Sequence, residues 1–337
     1  MAKKPEVRIG VIGAGALGYH HVRILRDVPD ARLVGFFEAR PDRASAVAQE
    51  LAVRAYDRLE SLLDDVEAAT IVVPTPAHYQ VAKAALARGK HLLIEKPIAA
   101  TLGEADELLA LAQRTGALIQ TGHVERFNRA IRAALPHVER ARFIESNRLA
   151  PFNPRGADVA VVLDLMIHDI DLVRTLVGGH LKDVSAVGVQ VLTPFVDIAN
   201  ARLRFEDGAV ANITASRVSR ERMRKVRIFQ ESGYMSLDLA AGEGEFFRLR
   251  RDVDFAELAK DAQAIEAFVE RVPIVAPEGE PLRLEFESFL SAVRGEAPII
   301  VSGEDGREAL AVALTIVSEI ERTLPSLAAG TQVAAGA

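Results

Sequence analysis

Two short stretches of the sequence carry side chains suited to proton transfer. In the first, Glu95 and Lys96 follow the apolar run Leu92–Ile94, which predicts a short strand buried on both faces. Pro97 has no backbone N–H to donate and is expected to end that strand. Ligands of open parallel sheets bind beyond the carboxyl ends of the strands, so Lys96 is a candidate for substrate contact. The alternative is a surface Glu–Lys pair without a chemical role.

The second stretch is an apolar helix, predicted over Asp158–Val177, that carries acids and a histidine. It places Asp164 and His168 one turn apart, and Asp171 continues the same face. Because most other positions are apolar, the helix is expected to be buried, with its polar face toward partners or a cleft. Histidine moves protons near neutral pH, and a carboxylate one turn away can orient it. An internal structural pair, or a metal held by Asp164 and His168, are the alternatives.

A glycine-rich turn near the N-terminus predicts a nucleotide site. It lies between a strand predicted over Val7–Ile12 and a helix predicted over Ala16–Asp27. Glycines permit a tight turn and close approach to a pyrophosphate, and the helix N-terminus supplies free amides and partial positive charge. Strand, turn and helix together favour this interpretation over a glycine turn without a ligand. The residues are Gly13, Ala14, Gly15, Ala16, Leu17 and Gly18.

An acid at the end of the second predicted strand, Leu33–Phe37, bears on cofactor choice. Glu38 lies 20 residues after Gly18. A carboxylate there accepts hydrogen bonds from ribose hydroxyls and repels a 2′-phosphate, which favours NAD over NADP. Arg40 and Arg43 argue against a preference for NAD, because a guanidinium that turned toward the ligand would pair with the 2′-phosphate of NADP.

A further strand end of the same predicted sheet supplies more candidate cofactor contacts. Thr75, Pro76 and His78 follow the strand predicted over Ala69–Val73, and small or proline residues there can pass close to a nicotinamide ring. We interpret His78 mainly as a helix-start residue without a catalytic role. The predicted cofactor contacts outside the glycine turn are Glu38, Arg40, Thr75, Pro76, His78, Glu95 and Lys96.

Composition bounds the class of protein. The 337 residues are 49% hydrophobic and 26% charged, as in a globular protein long enough for two domains. The formal net charge of −6 argues against general nucleic-acid binding. With no cysteine, disulfides and thiolate metal sites are excluded. The first apolar run is too short for a signal segment or a membrane span, so we expect a cytoplasmic protein without membrane contact.

The order of predicted elements indicates two fold types. Strands and helices alternate over residues 1–122, which predicts an α/β Rossmann domain with a doubly wound parallel sheet. From Val184 to Leu249 several alternating runs follow one another without helices, which predicts an antiparallel or mixed sheet in a second, α+β domain over residues 123–325. Residues 326–337, rich in Ala and Gly, predict a flexible tail. We assign no element to most of residues 251–280.

The motifs in this order resemble the glucose-fructose oxidoreductase/inositol dehydrogenase/MocA family. The resemblance rests on the glycine turn, the Glu95-Lys96-Pro97 strand end and the Asp164-x-x-x-His168 helix, and it covers nearly the whole chain. It implies a nicotinamide cofactor on the Rossmann domain. It also implies that the second domain is a large open, mostly antiparallel sheet that forms a homodimer or homotetramer. Lys96, Asp164 and His168 match the family's catalytic residues, and a cis Lys96–Pro97 peptide is compatible with it.

A narrower resemblance points to the branch that contains UDP-N-acetylglucosamine 3-dehydrogenases, some of them linked to lipid A precursor modification. It rests on residues 122–128, 163–171, 215–219 and 223–225. Residues 217–227 hold five arginines and one lysine, the donors that a diphosphate needs. For most of them a charged strand edge that prevents aggregation is the better interpretation. The candidate substrate residues are Arg126, Asn128, Arg148, Arg155 and Arg217.

The sequence thus predicts an NAD-dependent dehydrogenase of a sugar secondary alcohol, with the 3-hydroxyl of a UDP-linked N-acetylhexosamine as the first hypothesis. His168 would take the hydroxyl proton, Lys96 would stabilise negative charge on the same oxygen, and Asp164 would orient the pair. A free hexose or polyol dehydrogenase is the second hypothesis. A non-catalytic NAD-binding regulatory or scaffolding protein is the third.

Overall fold

The N-terminal part of the chain folds as a parallel sheet with helices on both faces. The computed structural model describes residues 6–154, 156–250 and 268–323. The strands are β1 (Val7–Ile12), β2 (Ala31–Phe37), β3 (Ala55–Tyr56), β4 (Ala68–Ile71), β5 (His91–Glu95) and β6 (Ile119–Gly122), in the spatial order β3-β2-β1-β4-β5-β6. The helices are α1 (Ala16–Leu25), α2 (Pro41–Leu51), α3 (Leu59–Asp65), α4 (Thr75–Leu86) and α5 (Leu102–Thr115). The predicted Rossmann sheet is confirmed, and the two-residue β3 was too short to leave a sequence pattern.

Local sequence sets the ends of these elements, as α5 illustrates. The Thr101 hydroxyl accepts a hydrogen bond from the backbone N–H of Glu104, and the Glu104 carboxylate accepts one from the N–H of Thr101, each at 3.2 Å. Such a capping box stabilises a helix start by about 1 kcal/mol. Gly116 ends the helix with φ +71°, a left-handed conformation that favours glycine.

The second sheet has eight strands and is antiparallel except at one pair. The strands are β7 (Phe143–Leu149), β8 (Leu181–Val189), β9 (Ile198–Phe205), β10 (Val210–Ser216), β11 (Met223–Gln230), β12 (Gly233–Asp238), β13 (Glu243–Leu249) and β14 (Val269–Ile274). Their order is β14-β13-β12-β11-β7-β10-β9-β8, and the parallel pair is β7 with β10. This confirms the predicted large, mostly antiparallel sheet. β14 lies in the stretch to which the sequence assigned no element.

In the described chain, four further α-helices follow β6, and they pack against one face of the second sheet or against the first sheet. They are α6 (Arg129–Ala134), α7 (Ile167–Val177), α8 (Pro281–Val293) and α9 (Gly303–Thr323). α7 and α9 contribute to the core over the second sheet. Phe286 and Phe289 of α8 instead pack into the core of the first sheet, beside Ile9 and Leu93. The chain after β14 therefore contributes to both sheets, and the domain boundary at residue 122 stays a prediction.

The other face of the second sheet carries a row of aromatic side chains from four neighbouring strands. Ring centroids are 5.6 Å apart for Phe143 and Phe229, 5.4 Å for Phe229 and Tyr234, and 4.7 Å for Tyr234 and Phe247. Each pair faces across strands in register. None of these rings belongs to the buried core of the described residues. This face therefore carries an accessible aromatic row, with charged side chains such as Lys225, Arg227 and Glu245 beside it.

The helix that carries the histidine differs from its prediction. It was expected from Asp158, but α7 is preceded by a π-helical turn, Val162–Met166, and residues 156–159 form a turn. Arg217 donates hydrogen bonds to the carbonyl oxygens of Gly156 and Val159. Because these carbonyl oxygens accept hydrogen bonds from a guanidinium, the helix does not extend back to residues 156–159.

No helix within the described residues is both long and apolar enough to cross a membrane. The predicted flexible tail, 326–337, lies outside the described residues, and so does Arg155.

Candidate active site

A cleft of about 930 Å³ lies at the carboxyl ends of β1, β2, β4 and β5 and reaches the turn before α7. Its size suits a cofactor-sized ligand. The predicted residues that line it are Gly13, Gly15, Ala16, Leu17, Glu38, Arg40, Thr75, Pro76, His78, Glu95, Lys96 and Asp164. The structure thus brings the predicted cofactor contacts together, except that Ala14 and Gly18 lie behind the lining. Gly156, Asp158, Val159 and Leu163 also line the cleft, and no sequence pattern singled them out.

The glycine turn has the geometry of a phosphate cradle. Gly13 has φ +95°, and a Cβ there would lie 2.7 Å from the carbonyl oxygen of Val72. A Cβ on Gly18 would lie 1.9 Å from the carbonyl oxygen of Gly13. Gly15 faces open space, and α1 begins directly after it without a side-chain cap. The first amides of α1 are therefore available to an anion, which fits the pyrophosphate of a dinucleotide.

Glu38 is held at the edge of this cradle. Its carboxylate accepts hydrogen bonds from the backbone N–H of Ala14 at 2.9 Å and from Nε of Arg40 at 2.9 Å. Burial opposes its ionisation, but these hydrogen bonds outweigh burial and lower the pKa of Glu38. Nε of Arg43 donates to the carbonyl of Ala14 at 2.9 Å. Both arginines already have protein partners, so the geometry favours recognition of ribose hydroxyls over a 2′-phosphate.

The end of β5 is fixed by two buried histidines. The ring nitrogens of His78 lie 2.8 Å from the carbonyl oxygen of Pro97 and 2.9 Å from that of Val73. The Lys96–Pro97 peptide bond is cis. On the other side, Nε2 of His21 lies 3.1 Å from Oε1 of Glu95. Glu95 therefore anchors the strand end internally, and His78, in the first turn of α4, also holds the turn at Pro97.

The side chain of Lys96 contacts Asp164 in the turn before α7. Its Nζ donates a hydrogen bond to the backbone carbonyl of Asp164 at 2.5 Å and lies 3.6 Å from the Asp164 carboxylate. Burial lowers the pKa of Lys96, although the negative charges of Asp164 and Glu95 act against this. The side chain is 16% exposed. A mostly buried amine with a lowered pKa on the wall of a cleft is typical of a catalytic group.

His168 stands nearby with its imidazole in the neutral form. Burial lowers its pKa well below the usual range, and the positive charges of Lys96 and Arg148 act in the same direction. Nδ1 of His168 is buried and has no hydrogen-bond partner in the described part of the chain. The prediction that Asp164 orients this ring is therefore wrong. The π-helical turn changes the spacing along the helix, and the Asp164 carboxylate lies beside Lys96 instead.

Behind His168, a buried ion-pair network holds α7 to the second sheet. Arg148 Nε donates to Asp169 at 2.6 Å, and Arg148 Nη1 donates to Glu125 at 2.8 Å. Ser146 donates its hydroxyl to Asp169 at 2.7 Å. The carboxylates outweigh the effect of burial and raise the pKa of Arg148. Arg148 is committed to this network, which corrects its prediction as a substrate contact.

The other predicted substrate residues are also engaged inside the protein. Arg126 forms two hydrogen bonds with Asp171, at 2.6 and 2.8 Å, so Asp171 faces Arg126 and not His168. The Asn128 side chain accepts from the N–H of Ala130 at the start of α6. Arg217 lies 3.1 Å from the buried Asp197. None of these three predicted residues lines the described cleft. The positions of apolar and basic residues in the sequence do not predict which arginines pair with a buried acid.

Arg224 is a cation that the sequence did not separate from its neighbours. It lies opposite Arg148 in the register of β11 and β7, so both side chains are on the face that meets α7. Lys225 and Arg227 alternate to the open face. The Arg224 side chain is 52% exposed, and its ion pair with Glu125 is long, at 3.5 Å. Beyond burial and the nearer cations, its charge also lowers the pKa of His168. The register of β11 against β7 shows that Arg224 lies on this face, and the amino-acid composition of the stretch carries no such information.

Among the described residues, no group of three or more histidine or acidic side chains is placed to hold a metal ion. Asp164 and His168, the pair considered for a metal, do not converge, because Asp164 contacts Lys96.

Comparisons with known proteins agree with this geometry. Residues 7–123 match the family model described as "Oxidoreductase family, NAD-binding Rossmann fold", and residues 130–236 match the "GFO/IDH/MocA C-terminal domain". The chain is 36% identical to the UDP-N-acetylglucosamine 3-dehydrogenase of Acidithiobacillus ferrooxidans, over 95% of this chain and 99% of that protein. A solved structure of that protein superposes with a TM-score of 0.87, over 95% of this chain and 99% of that one. The myo-inositol 2-dehydrogenase of Thermotoga maritima is 26% identical, over 94% and 96% of the two chains.

We predict that Glu38→Ser narrows the preference for NADH over NADPH. The substitution removes the carboxylate that would repel a 2′-phosphate and frees Arg40 to pair with it. Dissociation constants measured by nucleotide fluorescence should show a clear NADH preference in the wild type and a ratio at least about tenfold smaller in the variant. Glu50→Ser, an acid on the surface of α2, serves as the control. Equal binding of both nucleotides by the wild type would contradict the prediction.

Proposed function

Because the chain belongs to the GFO/IDH/MocA family of NAD-binding oxidoreductases, we propose that it oxidises the 3-hydroxyl of UDP-N-acetylglucosamine to a ketone. The observation that carries the proposal is the contact of Lys96 with Asp164 in the lining of the dinucleotide cleft. His168 follows on α7, close enough for the charge of Lys96 to lower its pKa. The full-length similarity to a UDP-N-acetylglucosamine 3-dehydrogenase supports the choice of substrate.

The reaction removes a hydride from the carbon and a proton from the oxygen of the same alcohol. The glycine turn and Glu38 would hold NAD, which when bound would supply the hydride acceptor. Lys96 hydrogen-bonds the hydroxyl oxygen and stabilises the negative charge that develops there. Asp164 holds Nζ of Lys96 through its backbone carbonyl and its carboxylate.

His168 receives the proton. Its imidazole is neutral at the start, so a proton site is free. A base with a low pKa is sufficient here, because the hydroxyl becomes strongly acidic as the hydride leaves and the carbonyl forms.

Arg224 supplies the positive charge that a UDP-sugar requires. It is half-exposed, lies on the face of the sheet that meets α7, and is weakly paired with Glu125. A guanidinium binds phosphate oxygens in a fixed geometry, and binding at a remote diphosphate positions the reacting carbon. A free polyol offers no such contact. Arg126, Arg148 and Arg217, by contrast, are already paired within the protein.

We predict that Lys96→Met and His168→Ala each lower turnover by a factor on the order of a hundred or more, because each removes a positioned proton-transfer or charge-stabilising group. NADH binding should change little, since neither side chain holds the dinucleotide phosphates. Steady-state rates and nucleotide titrations measure the two effects separately. Near wild-type turnover in either variant would show that its residue is structural.

The substrate class is tested with a panel of alcohols. We predict NADH formation with UDP-N-acetylglucosamine, much weaker activity with free N-acetylglucosamine, and none with myo-inositol. Alcohol oxidation by NAD is unfavourable at neutral pH, so the assay includes a carbonyl trap such as hydroxylamine. If inositol or glucose outperformed every UDP-sugar tested under these conditions, the nucleotide-sugar proposal would fail, and the polyol dehydrogenase hypothesis would take its place.

The same panel tests Arg224 against a matched neighbour. Arg224→Gln should raise KM for UDP-N-acetylglucosamine about tenfold or more, the scale of one lost charge-assisted contact. Lys225→Gln removes the same charge from the opposite face of β11 and should leave KM unchanged. An equal effect of both variants would indicate general electrostatics and would contradict a phosphate contact by Arg224.

We also propose that the chain forms a homo-oligomer through the aromatic face of the second sheet. The row Phe143, Phe229, Tyr234 and Phe247 is too apolar to face water without a function. We predict a dimer or tetramer by light scattering, and dissociation by Tyr234→Asp. Leu135→Asp, which adds the same charge outside the sheet, is the control. A wild-type monomer at micromolar concentration would contradict this proposal.

A further inference from the structure

The ring of His168 has one nitrogen that the proposed chemistry does not use. A base that takes a proton at one nitrogen becomes a cation, and its other N–H then needs an acceptor. In most buried catalytic histidines a carboxylate fills this role. Nδ1 of His168 is buried and has no partner among the described residues, and Asp164 and Asp171 are bonded to Lys96 and Arg126 instead.

A second imidazole stands where that acceptor is needed. The ring of His123, just after β6, lies edge-on to the ring of His168, with centroids 6.3 Å apart and planes at 89°. His123 is buried, and both of its nitrogens lack hydrogen-bond partners in the described chain. Two unpartnered imidazoles in contact are unusual, since buried polar groups are nearly always paired. The separation suits a hydrogen bond through one water molecule or after a small ring rotation.

Other unpartnered polar atoms lie in the same region. Oε1 of Gln120 and both carboxylate oxygens of Glu285 are buried without partners in the described chain. The Gln120 amide donates to the backbone carbonyl of Glu285 at 3.2 Å, which joins β6 to α8. Glu95 and Asp171 act electrostatically on both His123 and Glu285, so these groups share one buried polar region. A region this polar can hold a water beside His123.

We propose that His123 is a positioning residue for the base: it accepts a hydrogen bond from Nδ1–H of His168 and shares the proton that His168 takes from the alcohol. The proposal rests on the proposed function. In the step, the hydroxyl proton moves to Nε2 of His168, and the positive charge spreads onto His123 through the Nδ1–H hydrogen bond. The O–H bond of the alcohol breaks and an Nε2–H bond forms, while the hydride leaves the same carbon as in the proposed reaction.

The surrounding charges explain why the base needs this partner. The other groups that act on the two rings are Lys96 and Glu95 from β5, Arg126 after β6, Arg148 from β7, Arg224 from β11, and Asp171 from α7. A protonated His123 would also lower the pKa of His168, but burial lowers the pKa of His123 itself and favours its neutral form, which is an acceptor. Around His168 the cations dominate and oppose its protonation. An acceptor at Nδ1 offsets part of this cost and fixes the tautomer that leaves Nε2 free for the substrate.

The test compares His123→Phe, His123→Gln and the control His91→Phe. His91 is a half-buried imidazole at the start of β5, remote from α7. NMR titration of the His168 ring without substrate should show its pKa lowered by about one pH unit in His123→Phe, the scale of one lost hydrogen bond. His123→Gln, which keeps an acceptor, should restore at least half of this. His91→Phe should have no effect. An unchanged or raised His168 pKa in both His123 variants would overturn the inference.

A kinetic measurement accompanies the titration. His123→Phe should lower kcat for UDP-N-acetylglucosamine about tenfold and shift the acidic limb of its pH profile downward, with KM and NADH affinity unchanged. A loss of kcat without movement of the limb would mean a structural role and would count against the inference. If the wild type oxidises no UDP-sugar, the proposed function fails, while the titration still decides the contact between the two histidines.

Discussion

A buried arginine between two carboxylates fixes the part of the molecule on which the chemistry depends. Arg148 on β7 pairs with Asp169 of α7 and with Glu125 after β6. Three elements that are distant in sequence are thereby joined at one guanidinium. Loss of one partner from such a buried pair typically costs about 3–5 kcal/mol, since the remaining charge stays buried. His168 is adjacent to Asp169, so the placement of its ring follows from this network.

Lys96 and His168, the two groups proposed to handle the proton, have lowered pKa values for the same reason. Lys96 and His168 are both removed from water, and burial disfavours the charged form of each. Each also carries a positive charge when protonated, so neither can be fully charged without opposing the other. The acid between them, Asp164, contacts only Lys96. In the proposed reaction this asymmetry would make the lysine the charged donor and leave the neutral histidine as the base.

Some of this was predictable from the sequence, and the rest depended on tertiary partners. Strand–helix alternation, the glycine turn and Pro97 after β5 are local signals, and they located the first sheet, the cleft and Lys96. Pairing is not local. The order of residues does not show that Arg126, Arg148 and Arg217 are buried in pairs with acids, or that Arg224 stays half-exposed with only a long ion pair to Glu125. The contact of Asp164 with Lys96 was also missed, because helical periodicity assumes an α-helix and the turn before α7 is π-helical.

The π-helical turn before α7 constrains which insertions and deletions the protein can accept. A π-turn closes its hydrogen bonds over one more residue than an α-turn does. Deletion of Leu165 or Met166 would let the segment close as an ordinary α-helix, and would rotate Asp164 by about 100° relative to His168. Lys96 would then lose its carboxylate neighbour while every other residue of the site remained. We therefore expect this segment to accept substitutions during divergence but not changes of length.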